Sequence, residues 1–346
     1  MRTTDTCDAL MGDPVTSSDE SPTPGTAVAA APDRENRHNS LTTSDSGGVF
    51  GDRVFSGLAL AAGVAILVVL AFVALFLTAN STGAVYREEE GLIIGAFLEY
   101  AYPLVIGTVV ASAIALVLAT PVAVGVALYI SHFAPPRLSK SIGYVIDLLA
   151  AIPSVVYGAW GMSFLGPALV PAYTWLHEHL GFIPLFGESP SQTGRTIFTA
   201  GVVLGVMVLP IITSVSREIF VQTPKLHEEA ALALGATRWE MIRMAVFPFA
   251  RAGIISGVML GLGRALGETM AVALVLSAGP LSASLISAGN STIPAEIALG
   301  FPEAPPGSER QAQLIAIGLV LFVITLIVNM TARWIVSRHK EFSGAN

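Results

Sequence analysis

The chain has 346 residues, 53% of them hydrophobic and only 12% charged, and its mean hydropathy is +0.68. Soluble domains carry about 25% charged residues, so the composition excludes an ordinary soluble domain and points to an integral membrane protein. The net charge of −7 is unevenly spread, because residues 1–50 hold eight acids and three arginines. Cys7 is the only cysteine, which excludes an intramolecular disulfide.

Residues 1–50 are rich in Ser, Thr, Pro, Asp and Gly and lack apolar periodicity, so they are expected to be a disordered, solvated tail. No apolar run follows the start as a signal peptide would require. Six apolar stretches come next, each near the roughly 20 residues needed to cross a bilayer. They are expected at about Phe55–Thr78, Pro103–Ile130, Ile142–Leu165, Thr196–Val215, Ala252–Ala278 and Leu314–Val336. Pro121 is expected to bend the second, and Pro153 to interrupt the third.

Basic residues set the orientation. With the tail inside, the inner loops hold Arg53, Arg137, Lys140, Arg217, Lys225, Arg238, Arg243, Arg251, Arg333, Arg338 and Lys340. The outer side holds only Arg87, Arg195 and Arg310. Both termini and the loop 217–249 are therefore expected in the cytoplasm. Among the outer segments, Glu88-Glu89-Glu90 is acidic, and Trp175 and Phe182 suit headgroup depth. His177 and His179 form a pair without a third ligand, a poor metal site. The loop from Gly279 to Arg310 has the size to touch a soluble partner outside.

Between the fourth and fifth spans lie two short predicted helices. Thr223 is a candidate N-cap with Pro224 in the first turn, and Gly235 offers the positive φ of a helix end. Thr237 and Glu240 match a capping box, and Pro248 is expected to end or kink the second helix. In the fifth span, Gly253, Gly257, Gly261, Arg264 and Glu268 fall within an arc of about 80° at 100° per residue. Repeated G-x-x-x-G permits close helix approach, so both charges are expected on a protein-facing side. Arg264 and Glu268 are either an ion pair locking the helix or part of an anion path. Ser154, Tyr157 and Thr269 are candidate neutral hydrogen-bonding groups along that path. A phosphate-binding loop needs Gly-Lys-Ser or Gly-Lys-Thr, and none of Lys140, Lys225 and Lys340 follows a glycine. ATP hydrolysis would then need a separate subunit.

Glu229-Ala230-Ala231, followed three residues later by Gly235 and then by Pro248, resembles the EAA loop of ABC-importer permeases. Ala245 and Phe247 stand where that loop usually has an aliphatic residue and a leucine. GLGRALGETMAV (261–272) and AAIPSVVYGAWG (150–161) are similar to the permeases of the phosphate-specific importer, the C-type (PstC-like) rather than the A-type subunit. The similarity covers roughly Leu98 to Val336.

The resemblance implies an all-α polytopic membrane protein with six transmembrane helices and the architecture of a type I ABC-importer permease. It implies a tail over 1–50, a first span with its external connection over 51–100, a permease core over 101–336 and a cytoplasmic end over 337–346. The implied function is ATP-driven import of inorganic phosphate by alternating access across a bacterial cell membrane, with no enzymatic role for this chain. Implied partners are a second related permease subunit, a cytoplasmic ATPase dimer and an external phosphate-binding protein. ATP and Mg would sit on the ATPase, and this chain would bind no cofactor. Arg264 and Glu268 would serve the translocation path; Glu228, Glu229, Ala230, Ala231, Gly235, Thr237 and Glu240 would serve coupling. The alternatives are a sulfate or molybdate permease, an ion-coupled secondary transporter and a membrane sensor of phosphate status.

Overall fold

The computed structural model describes residues 46–87, 91–92, 94–277 and 282–338. The tail with Cys7, the triple glutamate at 88–90 and Lys340 lie outside the described residues. The chain divides into a unit ending at Val64 and a second running from Ala65. In the first, the described residues form the opening turns of α1 (Ser46–Asn80), so helix begins inside the stretch expected to be tail.

In the second unit α1 ends and α2 (Thr82–Val85) follows. A two-stranded antiparallel ladder pairs β1 (Tyr86–Arg87) with β2 (Gly91–Leu92). Then come α3 (Ile94–Leu128), α4 (Pro136–Ala151), α5 (Ser154–Trp160), α6 (Gly166–Leu180) and α7 (Ile197–Val221). After them lie α8 (Lys225–Ala233), α9 (Arg238–Met241), α10 (Phe247–Gly267), α11 (Met270–Val275), α12 (Ile293–Gly300) and α13 (Glu309–Arg338). Single π-helical turns at Tyr129–Phe133, Gly161–Leu165 and Ile242–Val246 extend α3, join α5 to α6 and join α9 to α10. Six helical runs are long and apolar enough to cross a membrane: Arg53–Asn80, Ile94–Phe133, Ser154–Leu180, Ile197–Val221, Arg238–Gly267 and Glu309–Ser337.

The most enclosed of these is α7, which packs on α3 and α10. Association inside lipid depends on close van der Waals fit, and small residues supply it. α3 presents Ala111, Ala115, Ala119, Ala123 and Ala127, one every fourth residue and all buried. α7 answers with Gly201, where an added Cβ would come within 2.6 Å of Ile114. On the other side of α7, Gly253, Gly257 and Gly261 of α10 lie against Ile219, Val215 and Ile212. The glycine face expected from the fifth span is therefore present, and its partner is α7.

The structure corrects several expectations. The third span starts at Ser154, and α4 before it is a separate helix. Ile152 and Pro153 are both extended, with ψ of 130° and 140°. The proline ring disfavours α geometry in the residue before it, so Pro153 opens the span instead of interrupting it. The fifth helical run begins at Arg238 and stops at Gly267, so α10 does not reach Ala278. Pro248 neither ends nor breaks it. The π-turn just before lets Phe247 N–H donate to Ile242 O, and Pro248 falls in the first turn of α10, where its missing N–H is tolerated. Nor does Thr223 cap α8: Pro224 holds that position, and the Thr223 hydroxyl is buried without a hydrogen bond. The described part of the segment between α11 and α13, expected as an outer loop, packs back against the helices. Ile293, Pro294 and Ala295 at the start of α12 are buried, and Ile293 N–H donates to Thr108 Oγ1 at 2.9 Å.

Candidate functional site

Two helix breaks meet at the centre of the site. One is the Ile152–Pro153 break that starts α5; the other is the Glu268–Thr269 break between α10 and α11. α5 packs on α11 with almost no gap: a Cβ at Gly158 would lie 2.7 Å from Ala271 Cα. Tyr157, buried beside it, donates its hydroxyl to Leu149 O at 2.8 Å and so bridges the Pro153 break. Ser154 is half-buried at the head of α5. Thr269 Oγ1 donates to Gly267 O at 3.2 Å, satisfying one carbonyl that the end of α10 leaves free.

Arg264 and Glu268 do not form an ion pair. The extended backbone at Glu268 (ψ 125°) takes it off the helical path that would have stacked it under Arg264. Its Oε1 instead accepts from Ala271 N–H at 3.2 Å, at the start of α11. The carboxyl also borders a closed niche with Thr108, Thr292 and Pro294, where α12 begins. Helix starts favour negative charge, which accounts for an acid here without a cationic partner. Arg264 is exposed and lines a cavity of about 980 Å³ between α10 and α13. Tyr157 is within electrostatic range of it. Arg264, still within helical α10, is exposed toward α13 instead of packing on α7, and Glu268 lies beyond the helix that defined the glycine face.

The second group of candidate residues lies on α8 and α9. Gly235 has φ +85°, and Ala236 N–H donates to Ala231 O at 3.2 Å, closing α8 with a left-handed residue. The capping box is formed: Glu240 N–H donates to Thr237 Oγ1 at 3.3 Å and Thr237 N–H to Glu240 Oε2 at 2.8 Å. Glu229, Ala230, Leu234 and Gly235 are exposed, Leu234 to 90%. Ala230, Ala231 and Leu234 border a cavity of about 390 Å³ with Met244 and Pro248. Glu228 points back into the protein, 3.5 Å from His132 Nε2 at the end of α3. This contact fastens α8 to the second span.

His177 and His179 each face a backbone carbonyl. His177 Nδ1 lies 2.9 Å from Phe186 O, and His179 Nδ1 lies 3.0 Å from Trp175 O. Among the described residues no three His, Cys, Asp or Glu side chains gather as a metal site.

The family model for the inner membrane component of binding-protein-dependent transport systems matches residues 120–341. The chain belongs to this family. Among curated relatives of this inner membrane component, the phosphate transport system permease protein PstC 2 of Mycobacterium tuberculosis is 48% identical over 209 residues, which cover 59% of this chain and 64% of the relative. The phosphate transport system permease protein PstC of Xylella fastidiosa is 42% identical over 221 residues, covering 62% of this chain and 67% of the relative. The chain thus spans just under two thirds of the length of its mycobacterial relatives. A crystal structure of a bacterial alginate ABC transporter, with its alginate pentasaccharide-bound periplasmic protein, superposes with a TM-score of 0.58 at 18% identity. The match covers 86% of this chain and 98% of that one. The fold is that of ABC-transporter permeases, and the inner membrane component described here is a multi-pass membrane protein.

Sequence reasoning missed several residues of the site. Thr108 and Thr292 sit in apolar or loop sequence with no local motif, and only the inward turn of α12 brings them to Glu268. Arg195 donates to Leu274 O at 3.2 Å and Leu276 O at 2.6 Å, capping the end of α11. It had counted only as an outer charge. Arg333 had counted only as an inner one, yet it lines the cavity of Arg264.

Proposed function

We propose that this chain is a transmembrane permease subunit of an ATP-driven importer of inorganic phosphate. The observation that carries the reading is the unpaired Arg264 in a cavity walled by α10, just ahead of its break at Glu268, and by α13, in a chain whose relatives are named phosphate transport permeases. A guanidinium without a carboxylate suits an oxyanion. Discontinuous helices near the membrane midplane are a recurrent way to build transporter sites.

In this reading Arg264 holds the anion, with Ser154, Tyr157 and Thr269 offering neutral hydrogen bonds. Glu268, held by the start of α11, meets the anion by repulsion and so favours its release when the helices move. Glu229, Ala230, Ala231 and Gly235 form the face that meets a separate cytoplasmic ATPase dimer, which carries ATP and Mg. Thr237 and Glu240 keep that segment in shape, and Glu228 passes its motion to α3 through His132. A second, related permease subunit completes the path, and an external phosphate-binding protein delivers the anion. Both termini and 217–249 face the cytoplasm, and the core runs over 101–336.

The test is uptake by the full complex in proteoliposomes, with phosphate, sulfate and molybdate each as the labelled anion. Phosphate uptake that needs ATP and the binding protein is expected. Equal uptake without ATP, or a preference for sulfate or molybdate, would overturn the reading. A reporter fused after Pro224 is expected on the cytoplasmic side, and an external reporter there would remove the ATPase from its docking face.

A further inference from the structure

The cavity that holds Arg264 contains a second arginine. Its α10 wall carries Ser256, Leu260 and Arg264, and its α13 wall carries Asn329, Arg333 and Ser337. The three α13 residues are four apart, so they form one stripe with steps of about 6 Å along the helix. Consecutive spans run in opposite directions. Asn329 therefore lies toward Arg264, and Arg333 and Ser337 lie toward the start of α10.

Among the described residues no acid lines this cavity. Both arginines are exposed, and among the described residues neither has an ion-pair or hydrogen-bond partner. Other arginines of the protein are treated differently. Arg310 pairs with Glu296 at 2.5 Å and lies over the Tyr100 ring, and Arg195 donates to two backbone carbonyls. Two guanidinium groups lining one cavity repel each other, and an anion between them offsets that repulsion.

From this geometry we infer that Arg333 is a second anion-binding residue of the path, receiving the oxyanion from Arg264 on its way to the cytoplasm. Asn329 adds a neutral amide between the two. The inference rests on the transport reading above. The competing account makes Arg333 a headgroup anchor at the end of the last span. An anchor has no reason to sense Arg264 or a small anion.

The experiment uses the assembled complex in inside-out vesicles, with Cys7→Ser and Arg333→Cys in this chain. Labelling of this chain is followed with an anionic sulfonatoethyl and a cationic trimethylammonium-ethyl methanethiosulfonate. Faster labelling by the anionic reagent is expected. Adding Arg264→Gln should lower the anionic-to-cationic rate ratio about tenfold. A ratio indifferent to Arg264 overturns the assignment. Inorganic phosphate should slow labelling by both reagents. If sulfate or molybdate protects and phosphate does not, the phosphate reading fails while an oxyanion path past position 333 stands; if no oxyanion protects, that path is lost and the assignment of Arg333 with it. Uptake by Arg333→Gln gives a second measure should the cysteine variant not assemble. Its maximal rate, per assembled complex, should fall at least about tenfold with the external KM within about twofold of wild type. A wild-type maximal rate would overturn the assignment.

Discussion

Replacing Gly158 with alanine adds one methyl group where α5 crosses α11. That carbon would sit 2.7 Å from Ala271 Cα, 3.0 Å from Ala271 O and 3.1 Å from Leu274 Cδ1. Carbon atoms prefer about 3.5–4.0 Å, and two of these three neighbours are backbone, which cannot rotate away. The helices must separate by about 1 Å, at an overpacking cost of about 1–3 kcal/mol. Alanine recovers up to about 1 kcal/mol through its better helix propensity, which leaves a net loss of about 1–2 kcal/mol. Gly125→Ala is the matched control, since nothing lies within 4 Å of its Cβ. It should be neutral or stabilising by about 0.5–1 kcal/mol. Thermal or denaturant unfolding of the detergent-solubilised complex would read the difference, and vesicle uptake its consequence. Because Gly158 sets how Tyr157 meets the Glu268–Thr269 break, uptake should fall about tenfold or more in Gly158→Ala and stay unchanged in Gly125→Ala. Equal stability and equal uptake in the two variants would refute the close crossing of α5 and α11.

Thr108→Val removes the acceptor for the buried Ile293 N–H and should cost about 1–2 kcal/mol in unfolding experiments, whereas Thr108→Ser should keep most of the stability. At Gly235 an added Cβ meets nothing, so the cost of Gly235→Val is conformational, about 1–2 kcal/mol from φ +85°. Gly235→Asn should then retain more ATPase co-purification than Gly235→Val, and the reverse order would count against the left-handed turn. Because Arg264 and Glu268 are not paired, neither Arg264→Gln nor Glu268→Gln strands a charge on the other. A double-mutant cycle on the unfolding free energy of the detergent-solubilised complex should give a coupling below about 0.5 kcal/mol, and a coupling above about 1 kcal/mol would restore the ion pair.

The number of spans was legible because a run of about 20 apolar residues has few other uses. Their ends were less so, and the reason differs at each. α4 carries Arg137, Lys140 and Asp147, and an apolar run beginning at Ile142 hid the fact that Pro153 starts a new helix. At Glu268 the chain leaves helix with no proline to mark it, and the α11 that follows packs on Gly158. Periodicity carried the face correctly while the helix lasted, to Gly267, and failed only at Glu268, where the helix it assumed has ended. The turn at Gly235 and the Thr237–Glu240 box were readable because they are made by neighbours in sequence. Thr108, Thr292 and Arg333 are brought to the site by tertiary packing alone, and local sequence carries no signal for that.

A π-helical turn is an α-helix that holds one residue too many, and the chain carries two of them on either side of α8, at Tyr129–Phe133 and Ile242–Val246. Loss of one residue from 242–246 would restore ordinary helical bonding and swing α8 and α9 by about 100° around the axis of α10. The helix would survive, but Ala230 and Leu234 would face another direction. Deletions and insertions that an unburied span such as α1 absorbs by sliding in the bilayer should abolish transport at this junction. The length of the chain between Gly235 and Arg264 is therefore under tighter constraint than its composition.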